Sequence, residues 1–210
     1  METSIDTTNN KVRKNRFSWL KRNNNNHHQL SQEKSQASGN DHKNQKKRYT
    51  TFKEAADNIS ASGLEEYGSK FLSLLSRKNE ILQASLFIKE NNESSGILRF
   101  ACGYACNNEM VQDLKFKPGE GLPGQVFNDK ELLNLKNFSE GYIKIKTALG
   151  EASPKSLILV PLISKGESIG VIELASFNDF SEEDEAFFLK VSEEILSEII
   201  ANYLKAKDNY

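Results

Sequence analysis

Residues 157–188 read LILVPLISKGESIGVIELASFNDFSEEDEAFF, and the central part of the fold can be predicted from them. Two apolar runs, SLILVPLI (156–163) and SIGVIELA (168–175), flank the connection SKGE. Because Lys165-Gly166 is a tight-turn signal between runs rich in branched residues, the stretch predicts an antiparallel hairpin. SLILV is apolar on both faces, which favours a central place in a sheet. Pro161 cannot donate to a ladder, so it predicts a bulge or the exit of that strand.

The segment after the hairpin predicts a long final helix. Ser181 at the N-cap and Asp184 three residues later form a capping-box variant. One apolar stripe is formed by Phe188, Val191, Ile195 and Ile199, and a second row beside it by Leu196, Ile200 and Tyr203 with Leu204. The two rows together form an apolar surface wider than packing of this helix against one sheet requires. We expect the second row to form a homodimer interface, and a wholly buried core helix is the alternative.

The chain upstream of the hairpin predicts helices followed by strands. Apolar residues recur at helical spacing over 52–75, and ASLFIKE (84–90), ILRFACGYA (97–105) and VQDLKF (111–116) have strand-like patterns. In ILRFACGYA the even positions are bulkier than the odd ones, which predicts that one face is core. The bulkier residues are Leu98, Phe100, Cys102 and Tyr104.

A glycine stretch, GEGLPG (119–124), matches the pattern G-x-G-x-x-G. A dinucleotide fingerprint would need a buried strand before it, a long helix after it and a parallel βαβ unit. None of these fits the antiparallel pattern downstream, and the stretch lacks the G-K-[ST] of a phosphate loop. Gly119, Gly121 and Gly124 are therefore interpreted as glycines that the backbone geometry of a turn requires. Positive φ or tight geometry is expected at the first two.

These motifs together resemble the second half of a GAF domain, a small-ligand sensor module related to PAS. The matching residues are 119–124, 157–162, 170–174 and 180–184, and Pro161 and Asp184 are among the family's structural positions. The chain is similar to GAF modules of bacterial, Bacteroidetes-type, sensor and signalling proteins. The resemblance is specific over 111–204 and weaker over 49–110. It implies an α+β fold, with terminal helices on one face of an antiparallel sheet and a ligand pocket on the other.

The resemblance implies a non-catalytic sensory module that acts through small-ligand binding, protein contacts or both. Its expected partners are a second copy of the chain, an unidentified signalling protein and an unknown small ligand. An alternative is a ligand-free structural or dimerisation adaptor, and a third is a redox-active protein using Cys102 and Cys106. The candidate pocket residues are Phe100, Phe116, Leu122, Tyr142, Ile145 and Leu149.

The sequence lacks the residues that several kinds of chemistry require. Residues 49–210 contain no histidine, the commonest general base and metal ligand, so we expect no catalytic residue, no metal and no cofactor. GAF-type methionine-(R)-sulfoxide reductases use cysteines in the glycine stretch and the long loop, whereas residues 107–210 contain none. The family's cyclic-nucleotide motif has a lysine where this chain has Asp179. In a continuous strand, the Cα atoms of Cys102 and Cys106 lie roughly 13 Å apart, whereas a disulfide needs Cα atoms less than about 7 Å apart.

The first 48 residues differ in composition from the rest. Residues 1–50 hold 11 Lys/Arg against 4 Asp/Glu, a net +7, whereas residues 51–210 hold 17 against 25, a net −8. We expect 1–48 to be a disordered basic tail and 49–207 to be the GAF-like domain. The segment 11–22, KVRKNRFSWLKR, leaves contact with nucleic acid or an anionic membrane open. No signal peptide or membrane span is visible, which predicts a cytoplasmic protein.

Overall fold

The computed structural model describes residues 37–90, 96–107, 111–136, 145–147 and 150–208. Residues 45–210 form one compact unit. The helices are α1 (Ala37–Asp57), α2 (Leu64–Asn79), α3 (Gly121–Asp129), α4 (Glu182–Val191) and α5 (Ser197–Asp208), with a π-helical turn, Ser192–Leu196, between the last two. The strands are β1 (Gln83–Lys89), β2 (Leu98–Tyr104), β3 (Lys115–Phe116), β4 (Leu133–Lys136), β5 (Ile145–Thr147), β6 (Gly150–Ala152), β7 (Ser156–Ser164) and β8 (Glu167–Ser176).

Within the described ranges, six strands form one antiparallel sheet in the order β3-β2-β1-β8-β7-β4, and β5 pairs only with β6. The predicted hairpin is confirmed as β7–β8. Its turn has positive φ at both Lys165 (52°) and Gly166 (81°), as a two-residue type I′ connection requires. Pro161 does not end β7, but a bulge follows it between Leu162 and Ile163. Since β4 pairs only as far as Leu159, Pro161 has one neighbouring strand among the described residues, β8.

The larger core lies between the helices and one face of the sheet, which we call the helix face. Alternate strand residues point into it, among them Leu86 of β1, Val160 of β7 and Leu174 of β8. Phe71 of α2 and Phe188 of α4 are also buried there. This arrangement confirms the predicted α+β fold with helices on one face of an antiparallel sheet.

Helix α1 begins at Ala37 and runs across the predicted domain boundary at residue 48, so residues 37–48 are helical, and the boundary itself stays a prediction. Arg48 donates hydrogen bonds to Asp184 Oδ1 at 2.8 Å and Asn79 Oδ1 at 2.5 Å. Its guanidinium carbon lies 4.2 Å from the centre of the Phe187 ring. The polar composition of this segment gives no sign of the Arg48–Asp184 contact, because the two residues are 136 positions apart in the chain. The predicted disorder of residues 1–36, including segment 11–22, lies outside the described residues.

The last helical segment confirms one prediction and overturns another. The capping box is present, with Ser181 and Asp184 bonded reciprocally. Leu196 and Ile200 are both 0% exposed within a single chain, so the assignment of their row to a dimer interface is wrong. Tyr203 is half-buried and packs against the same core. The π-helical turn is the physical reason, because its extra residue rotates the later positions so that both rows face the sheet.

Candidate functional site

The face of the sheet opposite the helix face carries a second apolar cluster, and we call it the ligand face. Helix α3 covers part of it, contributing Val126 and Phe127. The structure brings four predicted pocket residues to the edge of this cluster, each half-buried: Phe100, Phe116, Leu122 and Ile145. The other two candidates, Tyr142 and Leu149, lie outside the described residues.

Three phenylalanines from three strands form an aromatic wall on the ligand face. The ring of Phe87 meets those of Phe100 and Phe116 edge-to-face, with centroid distances of 5.9 and 5.4 Å. Phe87 is 3% exposed, whereas the two outer rings keep accessible surface. The aromatic wall therefore leaves accessible apolar surface on the ligand face.

The glycine stretch fixes α3 above the ligand face. Gly119 (φ 81°) and Gly121 (φ 60°) have the positive φ that the sequence predicted. Gly124 is required for a different reason, since a Cβ there would collide with the carbonyl oxygen of Lys117. The Gly119 amide donates to the Gly124 carbonyl at 2.7 Å, and the Lys117 amide donates to the Glu120 carboxylate at 2.9 Å. Both amides therefore have hydrogen-bond acceptors within the loop.

A carboxyl group interrupts the apolar ligand face. Glu173 lies on β8 between Val171 and Ala175, which belong to the ligand-face cluster, so strand alternation points its side chain to the same face. Its register partners are Ser85 of β1 and Leu159 of β7. The carboxyl makes no hydrogen bond or ion pair to another residue that the structure describes. Burial raises its pKa from the ordinary 4.5 to about 7.

The sequence prediction did not single out Glu173. One feature of the sequence could have pointed to it. Glu173 is a lone charged residue within the apolar run SIGVIELA, at a position that strand alternation does not place on a solvent-facing side. A charge on a half-exposed strand is ordinary, and only the sheet order shows that β8 is a central strand, flanked by β1 and β7. A central strand seldom holds an unpaired carboxyl.

Cys106 adds a thiol beside this carboxyl. A left-handed turn at Ala105 (φ 54°) folds the chain back, so that Cys106 Sγ lies over Gly103 and 3.4 Å from Ser85 Oγ. The thiol donates to the carbonyl of Ala84 at 3.2 Å. Burial raises its pKa, and the nearby charge of Glu173 acts in the same direction. The thiol is therefore protonated at neutral pH.

The two cysteines are not brought together as a redox pair. Cys102 points into the helix face, where it is 4% exposed and packs against Gly68 of α2. Burial raises its pKa to about 12. Cys106 lies on the ligand face, so the sheet separates the two side chains, and both are free thiols. The arrangement gives no support to the redox alternative.

The end of the hairpin, where the cyclic-nucleotide motif of the family lies, is structural in this chain. Asp184 forms an ion pair with Arg48 of α1, at 2.8 Å. Burial alone would raise the pKa of Asp184, but hydrogen bonds from Ser181 and Arg48 outweigh it and lower that pKa. Asn178 donates to the Glu80 carboxylate at 2.7 Å. These side chains already have partners within the domain.

A separate groove of about 310 Å³ runs along the open edge of β2. It lies between the start of α2 and Tyr203 of α5, with Glu65, Arg99 and Gln112 on its polar rim. Of the four predicted pocket residues that the structure describes, only Phe100 lines it. Among the residues that the structure describes, no three His, Cys, Asp or Glu side chains converge as a metal site. No helix within the described ranges has the length and apolar character needed to cross a bilayer.

Known proteins share this architecture. The chain matches the family described as GAF domain over residues 51–197. It is similar to the GAF domain of a phosphoenolpyruvate-protein phosphotransferase from Acinetobacter, at 21% identity over 79% of this chain and 98% of that one, with a TM-score of 0.63. The corresponding GAF domain from Coxiella burnetii gives 24% identity over 80% and 98%, with a TM-score of 0.62.

An enzyme is also among the similar structures. The type II free methionine-R-sulfoxide reductase from Thermoplasma acidophilum gives 20% identity over 72% of this chain and 96% of that chain, with a TM-score of 0.52. No curated protein sequence matches the chain. At these identities the solved structures show a shared fold, and the match to the family covers most of the domain. The chain belongs to the GAF domain family.

Proposed function

We propose that this GAF domain is a non-catalytic sensory module that binds a small molecule on the ligand face and signals through protein contacts. The observation that carries the proposal is the contrast between the two faces of the sheet. The core on the helix face is closed by fully buried residues such as Phe71 and Leu196. On the ligand face, Phe100, Phe116 and Leu122 remain half-buried, and Glu173 of the same face has no partner among the described residues. Such a partly open apolar surface with a few polar groups is typical of small-molecule sites.

The non-catalytic part of the proposal rests on the state of the thiols. Reduction of methionine sulfoxide by a cysteine enzyme needs an accessible thiolate, and burial raises the pKa of both Cys102 and Cys106. Histidine is absent from residues 49–210, so the chain offers no imidazole within the domain to activate either thiol. We expect no thioredoxin-dependent reduction of free methionine sulfoxide, and measurable turnover would overturn this part of the proposal.

Native mass spectrometry tests ligand binding directly. The purified full chain is measured before and after incubation with a small-molecule extract, and its native mass is compared with its denatured mass. We expect a mass excess that disappears on denaturation. Leu122→Trp, which places a large side chain in the ligand face, should remove the excess. Leu114→Trp, at a residue 38% exposed, is the matched control and should keep it.

The same spectra distinguish the ligand-binding sensor hypothesis from the ligand-free adaptor hypothesis. A wild-type chain that shows no mass excess before or after incubation supports a ligand-free adaptor and overturns the sensor. The native mass also reports the oligomeric state. The expected homodimer stays a prediction, and its interface has to involve residues other than Leu196 and Ile200, which are buried within one chain.

A further inference from the structure

We propose that Glu173, together with Ser85, forms a subsite for the ammonium group of an organic cation whose apolar body lies against the aromatic wall. This inference rests on the proposed small-molecule function of the ligand face and names the chemical class of its ligand. No residue of the predicted pocket supplies a charge, since all six candidates are apolar or aromatic. The charge comes from a strand that the sequence marks only as hydrophobic.

The sheet register places the polar groups in one row across the ligand face. Gly103 of β2, Ser85 of β1, Glu173 of β8 and Leu159 of β7 are successive cross-strand partners. Directly opposed residues in an antiparallel pair have Cβ atoms about 5 Å apart. The Ser85 hydroxyl and the Glu173 carboxyl are therefore close enough for a single ligand atom to contact both. Cys106 lies over Gly103 at the end of this row.

Glu173 is a mostly buried carboxyl that keeps some accessible surface on the ligand face. Protein surrounds the side chain on nearly every side, which is why its pKa is raised, yet part of its surface stays accessible. A carboxyl packed solidly against apolar neighbours would keep no accessible surface. Burying an ionised carboxylate without a partner is costly. A ligand that supplies the missing positive charge removes this cost, so ligand binding and ionisation of Glu173 favour each other.

The chemistry of the row selects a cation over an anion. An ammonium group has three donors and no acceptor, and the two carboxylate oxygens and the Ser85 hydroxyl are matching acceptors. Cys106 is a protonated thiol and brings no charge. Anionic ligands would meet the carboxylate without a described cation to offset it. The ring of Phe87, two residues from Ser85 on the same face of β1, tolerates a nearby cation, because the faces of aromatic rings attract positive charge.

Three probes of one shape test the inference: 2-phenylethylamine, 2-phenylethanol and phenylacetate carry a cation, a neutral hydroxyl and an anion on the same ring. Each is titrated at pH 8 into the full-length ¹⁵N-labelled chain, with amide chemical shifts as the readout. We expect the amine to bind about tenfold more tightly than the alcohol, the lower end of what a charge-assisted hydrogen bond provides, and the anion to bind most weakly. The shifted amides should lie on the ligand face, around Ser85, Phe100 and Glu173.

The variants decide which group is responsible. Glu173→Gln has the shape of the protonated carboxyl, and we expect it to reduce the preference for the amine over the alcohol to less than about twofold. Ser85→Ala should weaken amine binding about threefold. Glu167→Gln, an exposed carboxyl on the same strand, is the matched control and should keep the roughly tenfold preference. Equal binding of the three probes to the wild type, or a preference that survives in Glu173→Gln, overturns the subsite while the ligand site stands. Absence of binding by all three overturns both.

Discussion

Replacing Glu173 by glutamine should stabilise the domain at alkaline pH and leave it nearly unchanged at acidic pH. In the folded chain the pKa of this carboxyl is about 7, because burial disfavours its charged form, whereas its ordinary value is 4.5. Between these pH values the folded state holds a proton that the unfolded state has released. Stability from the protonated carboxyl is therefore present in full below pH 4.5 and is lost as the pH rises through 7. Glutamine keeps the shape and has no charge to bury.

The size of the effect follows from the two pKa values. A difference of one pKa unit corresponds to about 1.4 kcal/mol, so the full loss would be roughly 3 kcal/mol. Part of that loss is already complete at pH 5, and Glu173 keeps some accessible surface, which reduces the burial cost. We expect the free energy of unfolding of Glu173→Gln, relative to wild type, to increase by about 1–2 kcal/mol between pH 5 and pH 8. For a domain of this size that is a rise of about 4 °C in the difference between midpoints.

Thermal unfolding followed by circular dichroism at pH 5, 6, 7 and 8 measures this difference. Glu167→Gln on the same strand is exposed and should show no comparable trend. The nearest described titratable group on the ligand face, Cys106, has a raised pKa and so should not add a transition of its own below pH 8. A difference between wild type and Glu173→Gln that is constant from pH 5 to pH 8 would contradict the burial of an unpaired carboxyl. A wild type that is the more stable protein at pH 8 would show that the carboxylate has a partner in the free domain.

Three further changes test the packing, each by urea unfolding followed by circular dichroism. Arg48→Ala should lower the free energy of unfolding by about 1–2 kcal/mol, because it removes the ion pair with Asp184 and the contacts around it, whereas exposed Lys47→Ala should not. Leu196→Glu should abolish cooperative unfolding, since it forces a charge into a fully buried position; a folded variant would contradict the assignment of that row to the core. Gly124→Ala should cost more than about 1 kcal/mol, because its Cβ would collide with a backbone carbonyl, and an unchanged urea midpoint would show that the loop can move aside.

Features that depend on neighbouring residues could be predicted from the sequence alone. The β7–β8 hairpin follows from two apolar runs around Lys165-Gly166, and the capping box follows from the spacing of Ser181 and Asp184. The positive φ of Gly119 and Gly121 was predicted for the same reason. In each case the interacting groups lie within a few residues, so turn chemistry and periodicity suffice to predict the local structure.

Features that depend on residues far apart in the chain emerged only from the folded arrangement. A bulge between β1 and β2 at Leu86/Phe87 turns Phe100 to the ligand face and Cys102 to the helix face, although their even spacing predicted a common face. The π-helical turn draws Leu196 into the core. Glu173 lacks a partner among the described residues because its cross-strand neighbours are Ser85 and Leu159. Strand register and helix register are set by packing across the whole sheet, and a one-residue shift in either reverses which face a side chain occupies.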